Sequence, residues 1–308
     1  MPAIARFNPV NPFWYEDLPD AAAPFGETIQ SPTLDDDINA INDQYLEMSR
    51  AANVMRGGLL LMGLVLIAML CWSLPLLVRI SFRHDSVLFL SIVNWALVAV
   101  AIVCGIFLIM LDCLIPKDLP VRFDRGTGSV TALDYPIRFL PFPPRRLQLK
   151  HFAWSDVHAE ITRQAGYNGK AYVVRYALVL VICKSGTTEV LDRLVLKSND
   201  MTVKGLHAMW DYVRRYMREG TVNLPPVQTR AQGISFRRSL FTYMPYLDPS
   251  SEGAYFRARM GAIDWITAFF MTWFFWIWIP MGLCHFIAMK CAPEPQWPEK
   301  VPSFRGNG

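Results

Sequence analysis

The sequence predicts an α+β membrane protein in which three transmembrane helices, a two-helix hairpin and one C-terminal span, carry an antiparallel β domain closed by a helix. Apolar runs at residues 57–78, 87–111 and 262–289 are each long enough to cross a bilayer. The 308-residue chain is 53% hydrophobic, and the excess lies in these three runs. A polar block at residues 117–260 separates the second run from the third, and its pattern favours strands followed by one helix.

The N-terminal segment is predicted to be a disordered leader followed by a helix. Residues 1–33 are acidic and rich in proline, and they lack the basic and apolar regions of a signal peptide. Residues 34–56 fit an amphipathic juxtamembrane helix, because Ile38, Ile41, Tyr45 and Met48 follow at helical spacing.

The first two apolar runs predict a tight transmembrane hairpin, in which Asn94 forms a hydrogen bond between the helices. The third run carries Pro280, which predicts a kink. Three ionisable residues, Asp112, Asp264 and His285, lie near the ends of the runs, where a structural role is expected.

Charge patterning predicts the orientation in the membrane. Residues 1–56 carry 3 basic and 9 acidic side chains, whereas residues 117–260 carry 22 basic and 12 acidic ones. Arginines lie just after the second run and just before the third run, so both groups adjoin the polar block. The positive-inside rule therefore places the N-terminus and the block in the cytoplasm of a bacterial cell, and a short tail at residues 290–308 in the periplasm.

The block is predicted to hold a folded domain at residues 117–220 and a basic linker or interfacial segment at residues 221–260. A hairpin is expected around residues 121–133, with Gly126 and Gly128 supplying the positive φ of its turn. Four further strands are expected, at residues 146–152, 157–164, 171–183 and 188–196. A helical period then places Trp210 in the apolar interior, and Gly220 ends the helix.

Two short motifs make this block similar to a known class of domain. Phe123-Asp124-Arg125 with Gly128, and Phe152-x-Trp154-x-Asp156-Val157, resemble pleckstrin-homology-like (PH-like) domains of bacterial membrane proteins that have a transmembrane hairpin upstream. The resemblance implies that Trp154 packs and that Asp156 bonds nearby backbone. The whole layout resembles uncharacterised proteobacterial inner-membrane proteins often encoded beside type VI secretion effectors, which implies an immunity or accessory role.

No enzymatic motif stands out, and the sequence predicts neither a catalytic residue nor a cofactor. His151, Asp156 and His158 cluster in sequence, and a membrane enzyme that uses them is the least favoured hypothesis. Asp156 and His158 would share one strand face, but two ligands do not make a metal site. No nucleotide-binding loop or serine-hydrolase elbow occurs, and no nucleic-acid partner is expected. The six cysteines lack metal-type spacing and predict free buried thiols, with a Cys284–Cys291 disulfide as the alternative.

The expected function is non-enzymatic: the cytoplasmic domain binds a protein partner, with toxin neutralisation or support of a secretion system as its concrete version. The alternative is a lipid-sensing or membrane-organising scaffold that reads anionic head groups with a basic face. Candidate residues for either surface are Arg138, Arg145, Arg146, Lys150, Arg237 and Arg238. The oligomeric state has no sequence signal.

Overall fold

The computed structural model describes residues 5–25, 37–51, 56–82, 88–135, 147–167, 172–227, 229–230 and 233–297. In this part the strands are β1 (Trp14–Asp17), β2 (Ile38–Ile41), β3 (Tyr45–Met48), β4 (Val121–Asp124), β5 (Ser129–Asp134), β6 (Gln148–Ala153), β7 (Val157–Tyr167), β8 (Tyr172–Cys183) and β9 (Val190–Asp200). The helices are α1 (Gly58–Ser81), α2 (Leu88–Leu114), α3 (Val203–Glu219), α4 (Phe236–Phe241), α5 (Ser251–Ala258), α6 (Ala262–Thr272) and α7 (Phe275–Cys291). The chain is a mixed α+β protein.

Helices α1 and α2 are each long and apolar enough to cross a membrane. They pack as a hairpin, and their backbones meet where Gly63 faces Gly105: a Cβ built on Gly63 would lie 2.7 Å from the Gly105 carbonyl oxygen. Asn94 donates to Ser81 Oγ at 3.0 Å, which confirms the predicted interhelical hydrogen bond. These helices associate the chain with the membrane.

The third apolar run does not form the single helix that was predicted for residues 262–289. It is divided into α6 and α7, whose axes differ by 88°. The break lies at Trp273 and Phe274, where each backbone N–H bonds to the carbonyl three residues earlier, and Pro280 lies inside α7 instead. Aromatic side chains crowd this stretch and lose rotamer freedom in a helix, which favours a break there.

The β domain consists of two antiparallel sheets packed around one core. The five-stranded sheet has the order β2-β3-β4-β5-β6, and the four-stranded sheet has the order β1-β7-β8-β9. Helix α3 has nine buried residues, and seven of them belong to the core, including Trp210 at 0% exposure. Gly220, at φ 75°, ends this helix as predicted.

The N-terminal predictions are wrong for the described residues. The expected disordered leader at residues 1–33 includes β1, and the expected helix at residues 34–56 includes β2 and β3. Leu46 and Met48 are buried at 0% and 1% exposure on one face of β3, and β3 pairs with β4 beyond the helical hairpin. This non-local pairing overrides the local helical spacing. The domain therefore extends beyond the predicted residues 117–220.

Residues 221–260, predicted as a basic linker, include the short helices α4 and α5. Helix α4 packs on α7: the rings of Phe236 and Phe286 are 5.1 Å apart, and Gly282 lies against the backbone of Leu240. The segment also returns to the domain, where the Arg230 N–H donates to the Ile38 carbonyl at 2.7 Å. It is a structured bridge between the domain and α7.

The C-terminal tail lies at the domain end of the helices, not at the opposite end as predicted for residues 290–308. The Lys117 N–H donates to the Pro293 carbonyl at 3.0 Å, and Lys117 Nζ lies 2.7 Å from Glu294. The guanidinium of Arg122, on β4, stacks 4.4 Å from the Trp297 ring. Residues 298–308 are outside the described residues.

All six cysteines are free thiols, which agrees with the prediction, and the alternative Cys284–Cys291 disulfide is absent. Only Cys183 and Cys284 are buried within the protein; Cys71 and Cys104 lie on outward faces of α1 and α2.

Candidate functional site

The structure describes three of the six residues of the predicted basic face, Lys150, Arg237 and Arg238. Lys150 lies between two carboxylates, 2.8 Å from Asp134 and 2.7 Å from Asp192, and joins β6 to β9. Arg237 lies 3.6 Å from Asp248, and Arg238 forms a bidentate pair with Glu252. Arg138, Arg145 and Arg146 lie outside the described residues. The three described members of the face are thus each engaged by acidic side chains.

Of the predicted structural residues, Trp154 and Trp210 pack in the domain core, whereas Gly126 and Gly128 lie in an exposed turn. Trp154 packs edge-on to Phe123 at 6.0 Å and against Trp210 at 5.6 Å, as expected. Asp156 accepts from the Ser155 hydroxyl at 3.2 Å, a side-chain bond in place of the implied backbone one. In the β4–β5 turn only Gly128 has positive φ, at 61°, whereas Gly126 does not.

The structure separates His151, Asp156 and His158, and their side chains have different partners. A 3₁₀ turn at Trp154–Asp156 takes Asp156 off the strand, so it does not share a face with His158. His151 Nδ1 lies 2.9 Å from Thr131 Oγ1, whereas His158 Nδ1 lies 2.8 Å from Asp20 Oδ1. Burial lowers the pKa of His151, although Asp124 opposes that shift. Among the described residues no group of three or more metal-ligating side chains assembles.

The most extensive surface feature is an extended segment, residues 5–25, which lies along β7 and α3 and is called the strap here. Its strand β1 adds antiparallel to the edge of β7, pairing Trp14 with Thr162 and Asp17 with Glu160. The Arg163 N–H donates to the Phe13 carbonyl at 2.7 Å, and the Leu18 N–H donates to the Ala159 carbonyl at 2.9 Å. Prolines flank this short strand, and edge positions tolerate them. The groove between β7 and α3 thus holds an extended chain through its backbone.

Two side chains anchor the strap in the domain. Leu18 is 2% exposed and belongs to the main core, and Phe7 is 3% exposed against Val181 and Cys183. Trp210 Nε1 donates to the Pro19 carbonyl at 2.8 Å, so the buried indole of α3 has its hydrogen-bond partner in the strap. The groove is therefore deep at its centre.

Acidic strap residues meet histidines of the groove. Glu16 lies 2.8 Å from His207 Nε2, and Asp20 lies 2.8 Å from His158 Nδ1 and 2.6 Å from Arg6. Burial acts to raise the pKa of Asp20, but the His158 hydrogen bond and the charge of Arg6 outweigh it, and the pKa falls below its ordinary value. The carboxylate form is thus favoured in the bound strap.

The end of the strap crosses the basic C-terminal part of α3. Arg214 is 1% exposed, donates to the Ala23 carbonyl and lies 2.8 Å from Asp211. Three guanidinium groups surround the Phe25 ring, at 4.9 Å for Arg214, 4.4 Å for Arg215 and 5.4 Å for Arg218. This is a cation–π site for an aromatic side chain.

A second polar cluster joins the membrane helices to the domain, and we call it the junction: Arg56, Asp112 and Tyr243. The Asp112 carboxylate accepts from the N–H groups of Gly57 at 2.8 Å and Leu60 at 2.9 Å, at the start of α1. Arg56 is 3% exposed and donates to the carbonyls of Asp112 and Pro116. The Tyr243 hydroxyl donates to the Arg56 carbonyl, and burial, with the charge of Asp112 adding to it, raises its pKa to about 12.

Buried polar groups continue from the junction into the domain. Asp118 accepts from the Arg50 N–H and from Asn39 Nδ2, both at 2.8 Å. The Arg50 guanidinium donates to the carbonyls of Leu119, at 2.5 Å, and Leu133. The ends of α1 and α2 are thus bonded to the first sheet, so the domain is held against the membrane helices.

Sequence reasoning missed both features for the same reason. The sequence shows one signal for each feature. Aromatic residues around Trp14 mark the strap, and the charged residues Arg56 and Asp112 beside the apolar runs mark the junction. Their partners lie far away in the chain: Glu16 and His207 are separated by 191 positions. Spacing alone does not reveal such pairs.

Comparison with known proteins identifies one family. A family of unknown function, DUF6708, matches residues 98–306, about two thirds of the chain. The match includes β7 and α3, which form the groove, and begins after the strap and α1. No curated protein matches the chain, and no solved structure matches it.

Proposed function

The chain belongs to the family of unknown function DUF6708, and from this premise we propose that it is a non-enzymatic bacterial inner-membrane protein whose cytoplasmic domain binds a protein partner. In its concrete version, the partner is an effector of a type VI secretion system, and the chain is its immunity or accessory protein. The domain is PH-like in this proposal, because two antiparallel sheets are followed by the closing helix α3.

The observation that carries the proposal is the extended strap along β7 and α3. Strand addition to a sheet edge is a recurrent mode of peptide recognition, in which backbone bonds give affinity and side-chain pockets give specificity. The groove offers both, since β7 pairs with β1 and Trp210 bonds to the Pro19 carbonyl. A surface with this geometry suits a protein partner.

The arginines beside the apolar helices support a cytoplasmic domain. Arg122 and Arg125 follow α2 closely, and Arg257 and Arg259 precede α6. The positive-inside rule places such residues on the cytoplasmic side. The junction would then hold the domain at the inner leaflet, where it meets a partner that has entered the cytoplasm.

Co-expression tests the immunity version. The protein encoded beside this chain is induced in a bacterial host with and without the full-length chain, and growth is recorded. We expect toxicity that the chain relieves, together with binding of the purified neighbour to the detergent-solubilised chain. Toxicity that persists at full expression of the chain, without measurable binding, would exclude this version.

The lipid-scaffold alternative has weaker support, because Lys150, Arg237 and Arg238 already pair with carboxylates. Native mass spectrometry of the solubilised chain with anionic or zwitterionic phospholipid separates the two functions. We expect equal retention of both lipids by the wild-type chain and by the Arg237→Ala/Arg238→Ala variant. A preference for the anionic lipid that this variant loses would favour the scaffold instead.

A further inference from the structure

We propose that the strap is a displaceable occupant of the groove, and that the partner inserts an extended acidic segment of its own in the same place. This inference rests on the proposed protein-binding function and names the chemistry of the partner. The segment would carry a carboxylate, a buried aliphatic side chain, a second carboxylate and a later aromatic ring, at the spacing of Glu16, Leu18, Asp20 and Phe25.

The groove reads each of these features with a different group. Leu18 fills an apolar site in the core, and the carboxylates on either side of it meet His207 and His158. The aromatic ring of Phe25 lies among the guanidinium groups at the end of α3. A segment without these two carboxylates would leave His207 and His158 without their hydrogen-bond partners, so the groove favours acidic side chains at both positions.

The strap is held by few buried side chains. Its strand is four residues long, and the register with β7 shifts between Trp14 and Glu16. The ion pair of Glu16 with His207 and that of Asp20 with Arg6 leave between 32% and 45% of each side chain exposed. Exposed ion pairs contribute little to stability. Phe7 and Leu18 are the only strap side chains that are buried among the described residues 5–25.

The edge of β7 gives an incoming segment a place to start. The strap pairs with β7 from Ala159 to Arg163, whereas β7 continues to Tyr167. In the part of the chain that the structure describes, residues Gln164, Ala165 and Gly166 are exposed and have no partner strand on that edge. A partner strand can pair there first and then replace β1 step by step.

Tethering keeps the groove closed to weak binders. The strap is joined to β2 through residues 26–36, so it returns to the groove as an intramolecular ligand, with an effective concentration in the millimolar range for short linkers. A partner must therefore bind the groove more strongly than the tethered strap does. The strap thus excludes unrelated acidic peptides of low affinity.

Cleavage of the tether tests the proposal in the full-length protein. A site-specific protease sequence is inserted within residues 26–36 of the solubilised chain, and the cut protein is mixed with a fluorescent synthetic peptide of residues 5–25. Binding is followed by fluorescence anisotropy. We expect saturable binding, release of the cut strap by excess peptide, and no binding of a scrambled peptide.

Peptide variants give matched controls that do not depend on protein folding. Leu18→Asp should weaken binding by about tenfold or more, because the side chain is 2% exposed in the groove. Val10→Ser should bind within about twofold of the parent peptide, since Val10 is 53% exposed.

Two results would overturn the proposal: a cut strap that never exchanges over a day, or loss of cooperative thermal unfolding once the strap leaves. Either would make the strap a fixed part of the fold, and the co-expression test could still succeed through another surface. Exchange without rescue would remove the immunity version and leave the displaceable strap supported.

Discussion

Asp112 stabilises the start of α1 from the end of α2, and this role can be tested at the level of one residue. Its carboxylate is 3% exposed and accepts two backbone hydrogen bonds at the positive end of the α1 dipole. We predict that Asp112→Ala lowers the free energy of unfolding by about 2 kcal/mol, because charged hydrogen bonds are lost. Thermal unfolding in detergent measures it. Asp156→Ala is the control, since in the described part of the chain the Asp156 carboxylate accepts one hydrogen bond, from the Ser155 hydroxyl. Equal loss in both variants would contradict the role.

Asp20 makes the strap sensitive to acid. Its pKa in the folded protein lies below the ordinary value of 3.8, because the His158 hydrogen bond and the Arg6 charge outweigh the effect of burial. A carboxyl group with a depressed pKa stabilises the folded state fully above its unfolded pKa, and this contribution is lost as the pH falls through the folded pKa. We predict that the free energy with which the strap is held in the groove decreases at pH values below about 4. Asp20→Asn should make this free energy less dependent on pH in that range. An unchanged slope from pH 5 to pH 2.5 in the variant would refute this prediction.

Individual residues differed in how far their sequence foretold their role. Trp210 was predicted to be buried because its helical face is apolar. Asn94 was predicted to form an interhelical hydrogen bond, because a lone amide in an apolar run needs a partner on another helix. The partner of Trp210 Nε1 could not be predicted, since Pro19 lies 191 residues away in a segment that shows no regular period. The partner of Lys150 was hidden for a related reason: Asp192, which engages Lys150, lies on another sheet.

Among the elements, the α1–α2 hairpin depends on a close backbone contact. A Cβ at Gly63 would lie 2.8 Å from the Ile109 side chain as well as 2.7 Å from the Gly105 carbonyl. We predict that Gly63→Val costs about 1–3 kcal/mol through overpacking and separates the two helices. Gly58→Ala is the control, because its Cβ would meet Met281 at an ordinary 3.6 Å.

The measurement for the hairpin is unfolding in detergent combined with cross-linking between cysteines placed on the two helices. We expect Gly63→Val to lower both the transition temperature and the cross-linking yield, while Gly58→Ala leaves them close to wild type. Equal behaviour of the two variants would show that the Gly63 contact is not the one that holds the hairpin.

Elements were predictable where their signal was local. The β4–β5 hairpin lies close to its predicted place because its turn glycine is part of the same segment. Helix α3 lies close to its predicted place because its apolar face and the terminating Gly220 are local signals. Residues 38–48 are the contrary case. Ile38, Ile41, Tyr45 and Met48 fit a helical face. They lie in strands because β3 pairs with β4, which follows α1 and α2 in the sequence.

At the scale of the molecule, the start of α1 and the end of α7 meet on the domain side. Gly57 lies against the backbone of His285, and Leu60 packs with Cys284 and Ala288. Because the junction and the tail contacts of Lys117 lie at the same end, the domain is held by three helices and the tail together. The strap then faces partners from a fixed position.

From the bend between α6 and α7 we predict that the C-terminus and the domain lie in the same compartment. Helix α6 has 11 residues and α7 has 17, lengths of about 16 Å and 25 Å, and neither alone spans a hydrocarbon core of about 30 Å. With an 88° bend, the pair does not cross as one rod. The bridge through α4 before it and the tail after it both contact the domain end. We predict that a compartment-specific reporter fused after Gly308 reads the same side as one fused at the N-terminus, and that one inserted between residues 82 and 88 reads the opposite side. A C-terminal reporter that matches the loop insertion would instead establish a complete third span.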